Sequence, residues 1–268
     1  MKHEAFFRRH PVFTGEELAR YLSSCGELNS RTQESLLAYH RKAGHVLLVR
    51  RGLYAVVPLG ADPASYPVDP FLVAAKLTKD AVLSYHTALE LHGRAYSIGE
   101  RFTYSASRPL NPVIFRTHVF RGAKFPRALR QAGKEHFAVG TVDRAGLDVR
   151  VTSLERTLVD VLDRPNLSGS WEEIWRSLES VEFFDIDKLV EYALLLRNAT
   201  TAAKVGFFLE QHREPLMVEE VHLRPLHDLQ PRRPHYLDRS KRKSGRLVSG
   251  WNLIVPTGVL ERSWGEVL

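Results

Sequence analysis

Much that would mark a secreted, membrane or catalytic protein is missing from this chain. A single cysteine, Cys25, stands in 268 residues, which excludes an internal disulfide and any cysteine-based zinc site and fits a reducing cytoplasm. No apolar run approaches the roughly 20 residues of a membrane span. The opening MKHEAFFRRH is too polar for a signal peptide. Phosphate cradles (G-x-x-x-x-G-K-[ST]), dinucleotide fingerprints (G-x-G-x-x-G), nucleophile elbows (G-x-S-x-G) and the zinc helix H-E-x-x-H are all absent. Neither an internal repeat nor a low-complexity tract is present. The expectation is a cytoplasmic protein with no enzymatic activity, no cofactor, no metal and no membrane partner.

What is present suits a soluble globular protein of one large or two ordinary domains: 44% of residues are hydrophobic and 26% charged. The formal net charge is +7, a bias toward polyanions that does not by itself define a partner. The charge is uneven. Acids crowd residues 153 to 220, whereas cations gather in the first fifty residues and in RPLHDLQPRRPHYLDRSKRKSGR near the end. Basic patches on a balanced surface are expected.

The stretch from Thr14 to Pro58 has the most specific pattern. Thr14 and Glu17 have the spacing of a capping box, and Leu18, Tyr21 and Leu22 follow at helical intervals. After a break at Cys25-Gly26, Ser30 and Gln33 repeat the capping spacing. Gln33, Leu36, Leu37 and His40 then share one face of a helix that Gly44 stops. HVLLVRRGLYAVVP reads as a hairpin around Arg51-Gly52. With a first helix from His3 to Arg9 supplying Phe6 and Phe7, these pieces compose a winged helix-turn-helix. The outward face of its second helix carries Arg31, Thr32, Ser35, Tyr39 and Lys42, donors and acceptors for base edges near the helix start and groups for phosphate further along. Arg50 and Arg51 sit at or beside the hairpin tip, where a wing would touch phosphate or reach a minor groove. His40 is expected in the core rather than on DNA.

A proline-containing stretch, PLGADPASYPVDP, reads as a linker, with a domain boundary near residue 62. Residues 1–61 are therefore expected to be the winged helix-turn-helix domain and 62–268 a mixed α/β domain. Asp69 and Pro70 start a helix, and Ser84 to His92 forms another, closed by Gly93. FTYSAS, VIFRTHVFR, EHFAVGTVD and LDVRVT have strand periodicity, with turns at Leu110-Asn111-Pro112 and Arg144-Ala145-Gly146, and predict a mainly antiparallel sheet. Four helices follow: Thr152 and Glu155 cap SLERTLVDVL, Ser170 and Glu173 cap WEEIWRSLES, and FDIDKLVEYALLLR and TTAAKVGFFLEQH complete the cluster. VHLRPL and WNLIVP return to strand character. The fold class is α+β.

Two other groupings invite a chemical reading. His86 and Glu90 lie four apart on a helix, a metal-binding spacing that lacks a third ligand, so an ordinary capped helix is the better reading. Glu155, Asp160 and Asp163 share a helix with Arg156 and read as solvated or salt-bridged rather than as an acid/base pair. The run RSKRKSGR, with Arg239, Lys241, Arg242, Lys243 and Arg246, is either an exposed loop or an arm that touches phosphate without reading sequence. The tryptophans are expected in the core or at an interface.

In the order and spacing of FTGEELARYL…RRGLYAVVP, LSYHTALELHG, VTSLERTLVDVLDRP, DKLVEYALLLRNATTAAKVGFFLE and SGWNLIVP, the chain resembles the AbiEi family, antitoxins of the AbiE abortive-infection (type IV toxin–antitoxin) systems. The resemblance implies a winged-helix domain that represses its own promoter at inverted repeats in double-stranded DNA. It also implies a C-terminal α/β domain that counters a nucleotidyltransferase-like toxin without a stable complex. Family DNA contacts map onto Arg31 to Lys42 and the wing at Arg50-Arg51. Residues 230 to 246 are more basic than the family pattern. A winged-helix regulator whose second domain senses a small molecule is the alternative.

Overall fold

The computed structural model of the chain describes residues 3–26, 30–238 and 245–264. It is a mixed α+β protein, with twelve α-helices among the described residues and sheets that are mainly antiparallel. The chain divides into two compact units, neither continuous in sequence. Met1–Leu83, Glu100–Lys124 and Thr141–Val151 make the first; Ser84–Gly99, Phe125–Gly140 and Thr152–Leu268 make the second.

The first unit opens with α1 (Glu4–Arg9), β1 (Val12–Thr14), α2 (Gly15–Ser24), α3 (Ser30–Lys42), β2 (Val46–Arg50) and β3 (Leu53–Val56). The capping box forms as its spacing predicts: Glu17 N donates to Thr14 Oγ1 (3.2 Å) and Thr14 N to Glu17 Oε2 (2.7 Å). Gly44, at φ +74°, ends the α3 segment. Gly52, at φ +82°, lets the chain reverse between β2 and β3 in two residues. A strand that the sequence reading did not anticipate, β1, pairs with β3 and completes an antiparallel sheet in the order β1-β3-β2. Phe6, Phe7, Phe13, Leu18, Leu22, Leu37 and Val46 fill the space between this sheet and the three helices.

The stretch expected to be a linker is packed instead. A Cβ placed on Gly44 would stand 2.6 Å from Pro63 Cγ. Arg116 donates to the Tyr66 carbonyl and to the Pro63 carbonyl, the latter at 2.7 Å. Residues on either side of the boundary expected near 62 thus belong to one compact unit. Prolines that read as a spacer are held by neighbours far away in sequence.

Next come α4 (Pro70–Ala75), β4 (Val82–Leu83), α5 (His86–Leu91), β5 (Arg101–Ala106), β6 (Val113–Phe115), β7 (His118–Lys124), α6 (Arg127–Ala132), β8 (Val139–Arg144) and β9 (Leu147–Thr152). Asp69 caps α4 as expected, accepting from Phe71 N at 2.9 Å and Leu72 N at 3.4 Å. A six-stranded sheet runs β6-β7-β5-β4-β9-β8. Its β4–β5 and β6–β7 pairs are antiparallel, but β5–β7 and β4–β9 are parallel. VIFRTHVFR, expected as one strand, is two, because Arg116 takes a left-handed conformation (φ +54°) between β6 and β7. The turn between β8 and β9 forms at Ala145 and Gly146, both at positive φ.

The second unit is mostly helical: α5 and α6, then α7 (Leu154–Asp163), α8 (Trp171–Glu179), α9 (Ile186–Leu195), α10 (Ala199–Gln211) and α11 (Glu220–Leu229). Ser153 caps α7, one residue later than expected. VHLRPL, read as strand, lies within α11 despite Pro225. The hydrogen bond that Pro225 cannot donate would have gone to the carbonyl of Val221, an exposed residue. A small sheet follows, β10 (His235–Tyr236), β11 (Gly245–Val248) and β12 (Leu253–Pro256) in the order β10-β12-β11, then α12 (Thr257–Leu260).

Of the carboxylates on α7, Asp160 is buried and salt-bridged. It lies 3.4 Å from the equally buried Arg156 and accepts the Tyr192 hydroxyl at 2.6 Å. Arg156 also donates to the carbonyls of Glu135 (2.8 Å) and Phe137 (2.6 Å). This network joins α7, α9 and the segment after α6, and leaves only the Arg156 Nη2 of its guanidinium without a hydrogen-bond partner among the described residues.

Candidate functional site

The faces of α3 divide as its period predicts. Leu37 and His40 are buried and Gln33 and Leu36 half-buried, whereas Arg31, Ser35, Tyr39 and Lys42 are exposed and Thr32 is half-buried. Tyr39 is 66% exposed and meets the His40 ring edge-on, 5.1 Å between centres. Beneath this face His40 is 1% exposed, packed against Phe7, with the His45 ring 5.8 Å away. Burial, and the neighbouring His45 and His3, hold its pKa below the ordinary value. Its ring nitrogens have no hydrogen-bond partner among the described residues.

Arg51 is exposed in the hairpin turn, and Arg50 stands beside it as the last residue of β2. Arg50 is half-buried and donates to the Leu77 carbonyl at 3.3 Å. The two arginines are adjacent in sequence, but Arg50 ends β2 next to a register irregularity between Leu48 and Arg50, whereas Arg51 belongs to the turn. Arg50 therefore fastens the hairpin within the first unit instead of facing outward.

The Gln33 amide, expected in a capping arrangement, donates to the Gly15 carbonyl at 2.7 Å. The Gly15 N–H donates in turn to the Gly52 carbonyl at 2.9 Å. One residue at the start of α2 is thereby bonded to both α3 and the hairpin turn. No sequence pattern announced this link, whose partners are 18 residues apart in one case.

Of the basic arm, Arg239, Lys241, Arg242 and Lys243 lie outside the described residues. Arg246, on β11, is exposed and paired with Glu261 at 2.6 Å.

In the second unit His86 lies between two carboxylates. Its Nδ1 is 2.9 Å from Glu90 Oε1 and its Nε2 3.0 Å from Glu173 Oε1. Burial opposes the charged ring, but hydrogen bonds to Glu90 and Glu173 outweigh it and raise the His86 pKa. Glu173 also accepts from Ser97 N (3.1 Å) and Ser97 Oγ (2.6 Å), and Glu90 from Gly99 N (2.8 Å). With both nitrogens and both carboxylates engaged, the arrangement pins the loop after α5 to α8. The sequence exposed the His86–Glu90 spacing but not Glu173.

A cleft of about 680 Å³ opens in the same unit, lined by residues that include Asp163, Trp171, Asn198, Thr201, Lys204 and Tyr236. Lys204 is nearly buried; its Nζ donates to the Leu162 carbonyl (3.0 Å) and lies 5.5 Å from the Trp171 ring centre. Asp163 accepts from Thr201 Oγ1 (2.5 Å) and Asn198 Nδ2 (3.0 Å). Its wall carries charges of both signs, Asp163, Asp238 and Lys204, and suits a small polar molecule.

No known protein family matches the sequence, and no curated protein matches it. The fold is similar to that in the crystal structure of the RV2827C protein from Mycobacterium tuberculosis. The match has a TM-score of 0.59 and 16% identity and covers 96% of this chain and 92% of that one. Likeness at that identity is a likeness of fold. Among the described residues no helix is long and apolar enough to cross a membrane.

Proposed function

We propose that this protein is a bacterial DNA-binding autorepressor and antitoxin of a type IV, abortive-infection system, and that it has no catalytic activity. In this reading α1 to β3 are a winged helix-turn-helix, with α3 as recognition helix and the β2–β3 turn as wing. The observation that carries it is the division of α3: Leu37 and His40 buried on one side, Arg31, Ser35, Tyr39 and Lys42 exposed on the other, with exposed Arg51 at the adjoining turn. A helix that buries one face and offers cations, a hydroxyl and a phenol on the other suits a major groove. The likeness to AbiEi antitoxins adds the partner: a nucleotidyltransferase-like toxin, countered without a lasting complex.

The test has two arms. The protein should retard a fragment of its own promoter containing inverted repeats at a concentration at least tenfold lower than a scrambled fragment of equal length, at 150 mM salt, in keeping with the usual specificity ratio (on the order of 10³ or more). Co-expression should restore growth to cells producing the toxin from the neighbouring reading frame. Equal retardation of both fragments removes the repressor half of the reading, and failure to restore growth removes the antitoxin half.

The cleft lined by Lys204 and Trp171 favours a second reading, a winged-helix regulator that senses a small polar molecule. That reading requires ligand-dependent release from the promoter.

A further inference from the structure

We infer that Gln33 is a positioning residue for DNA recognition, acting through Gly15 to hold the wing and the recognition helix at one separation. The inference rests on the DNA-binding reading above. Its basis is a relay of two hydrogen bonds, Gln33 Nε2 to Gly15 O (2.7 Å) and Gly15 N to Gly52 O (2.9 Å). A helix and a wing that contact one duplex must keep their spacing to within a fraction of an ångström if side chains are to meet base edges and phosphates together.

The residues between α2 and α3, at positions 27 to 29, lie outside the described residues. Along the chain the hairpin follows α3 after Ala43, Gly44 and His45, and Leu37 and Val46 pack in one core cluster, a contact without the direction of a hydrogen bond. Gly15 touches both partners from a third element. Gln33 is half-buried on the side of α3 away from the exposed residues, so its own contact with DNA is not required.

Each bond is removable alone. Gln33→Leu keeps the approximate volume and loses the donor. Gly15→Pro loses the N–H that reaches Gly52 and keeps the carbonyl that serves Gln33. Proline fits the helix start, since Gly15 is the first residue of α2, where no intrahelical N–H bond is lost, and Thr14 before it is already extended (φ −90°, ψ 155°); its ring Cδ, however, takes the place of the hydrogen aimed at Gly52 O, so this variant displaces the turn as well as losing the bond. A Cβ there would meet only Gln33 Nε2 at 3.5 Å and Tyr54 at 4.0 Å, ordinary contacts.

The experiment measures promoter and scrambled-DNA affinity, with thermal unfolding, for the full-length wild type, both single variants and the double. Each single variant should bind the promoter about three- to tenfold more weakly, the worth of one hydrogen bond, and scrambled DNA within about twofold of wild type. The double should lose no more than the larger single, since both changes break one relay. Unchanged discrimination in both variants, or losses that multiply in the double, overturns the inference. A loss confined to a variant whose melting temperature has collapsed also overturns it, because that is folding and not positioning. A wild type that does not prefer its promoter overturns the DNA-binding reading instead.

Discussion

Trp251 lies so close to Gly206 that a Cβ on the glycine would stand 2.1 Å from the indole Cη2. The ring cannot step aside. Its Nε1 donates to Glu210 at 2.7 Å, and His227 stacks on it at 3.7 Å between ring centres. A Gly206→Ala change gains at most about 1 kcal/mol of helix propensity against an overpacking cost of about 1–3 kcal/mol. Net destabilisation is expected, seen as a lower urea midpoint with an unchanged slope; a higher midpoint would mean that the indole is not held.

His86 makes stability fall as pH rises. Its folded pKa is raised above the unfolded value of about 6.5. Its contribution is therefore fully present below about pH 6.5 and lost as pH climbs through the folded value. Chemical unfolding followed between pH 5 and 9 should show this slope in wild type and lose it in His86→Gln. A variant with the same slope would assign the titration elsewhere. Because Glu90 and Glu173 would face each other without a cation, His86→Ala should cost about 3–5 kcal/mol.

His40 works in the opposite direction. Its folded pKa is lowered, so its contribution is present above the unfolded value of about 6.5 and lost as pH falls through the folded one. Amide protection factors, with the intrinsic pH dependence of exchange divided out, should fall in α3 and the β2–β3 hairpin below pH 6 before they do in α7 and α10. In His40→Leu the acid-induced loss should shrink. A uniform fall in protection across the chain would argue against a local cause.

The arginines of α3 and the hairpin should separate by role. Arg31→Ala is expected to reduce discrimination between promoter and scrambled DNA by about 1–3 kcal/mol. Arg51→Ala should weaken both about equally and reduce the salt slope by about 1. Arg50→Ala, which removes the bond to Leu77, should lower the melting temperature and leave discrimination alone. Titrations at several salt concentrations distinguish the three, and a changed discrimination in Arg50→Ala would return that residue to the interface.

Local features were legible in the sequence where local physics decides them. The Thr14–Glu17 cap, the buried and exposed faces of α3 and the glycine turns at positions 52 and 146 each depend on residues within one or two turns of chain. Long-range partners were not legible. Nothing near Gln33 indicates Gly15, nothing near His86 indicates Glu173, and the parallel pairing of β5 with β7 skips over a strand. VHLRPL misled for a different reason: Pro225 reads as a helix breaker and the β-branched Val221 as a strand former, while buried Leu223 and Leu226, three apart, carried the helical signal. Arg50 and Arg51 differ by one position, but that step leads out of the paired strand β2 into the turn, and the Leu77 carbonyl that holds Arg50 is 27 residues away.

The packing of Pro63 on Gly44 has a practical side. A gene cut after codon 61 would strip away the proline that covers Gly44 and the lysine, Lys76, that pairs with Glu17 of the α2 cap. The small helical head released this way would begin life with a raw flank where the whole protein has an interior, so any binding measured on it would describe a damaged piece.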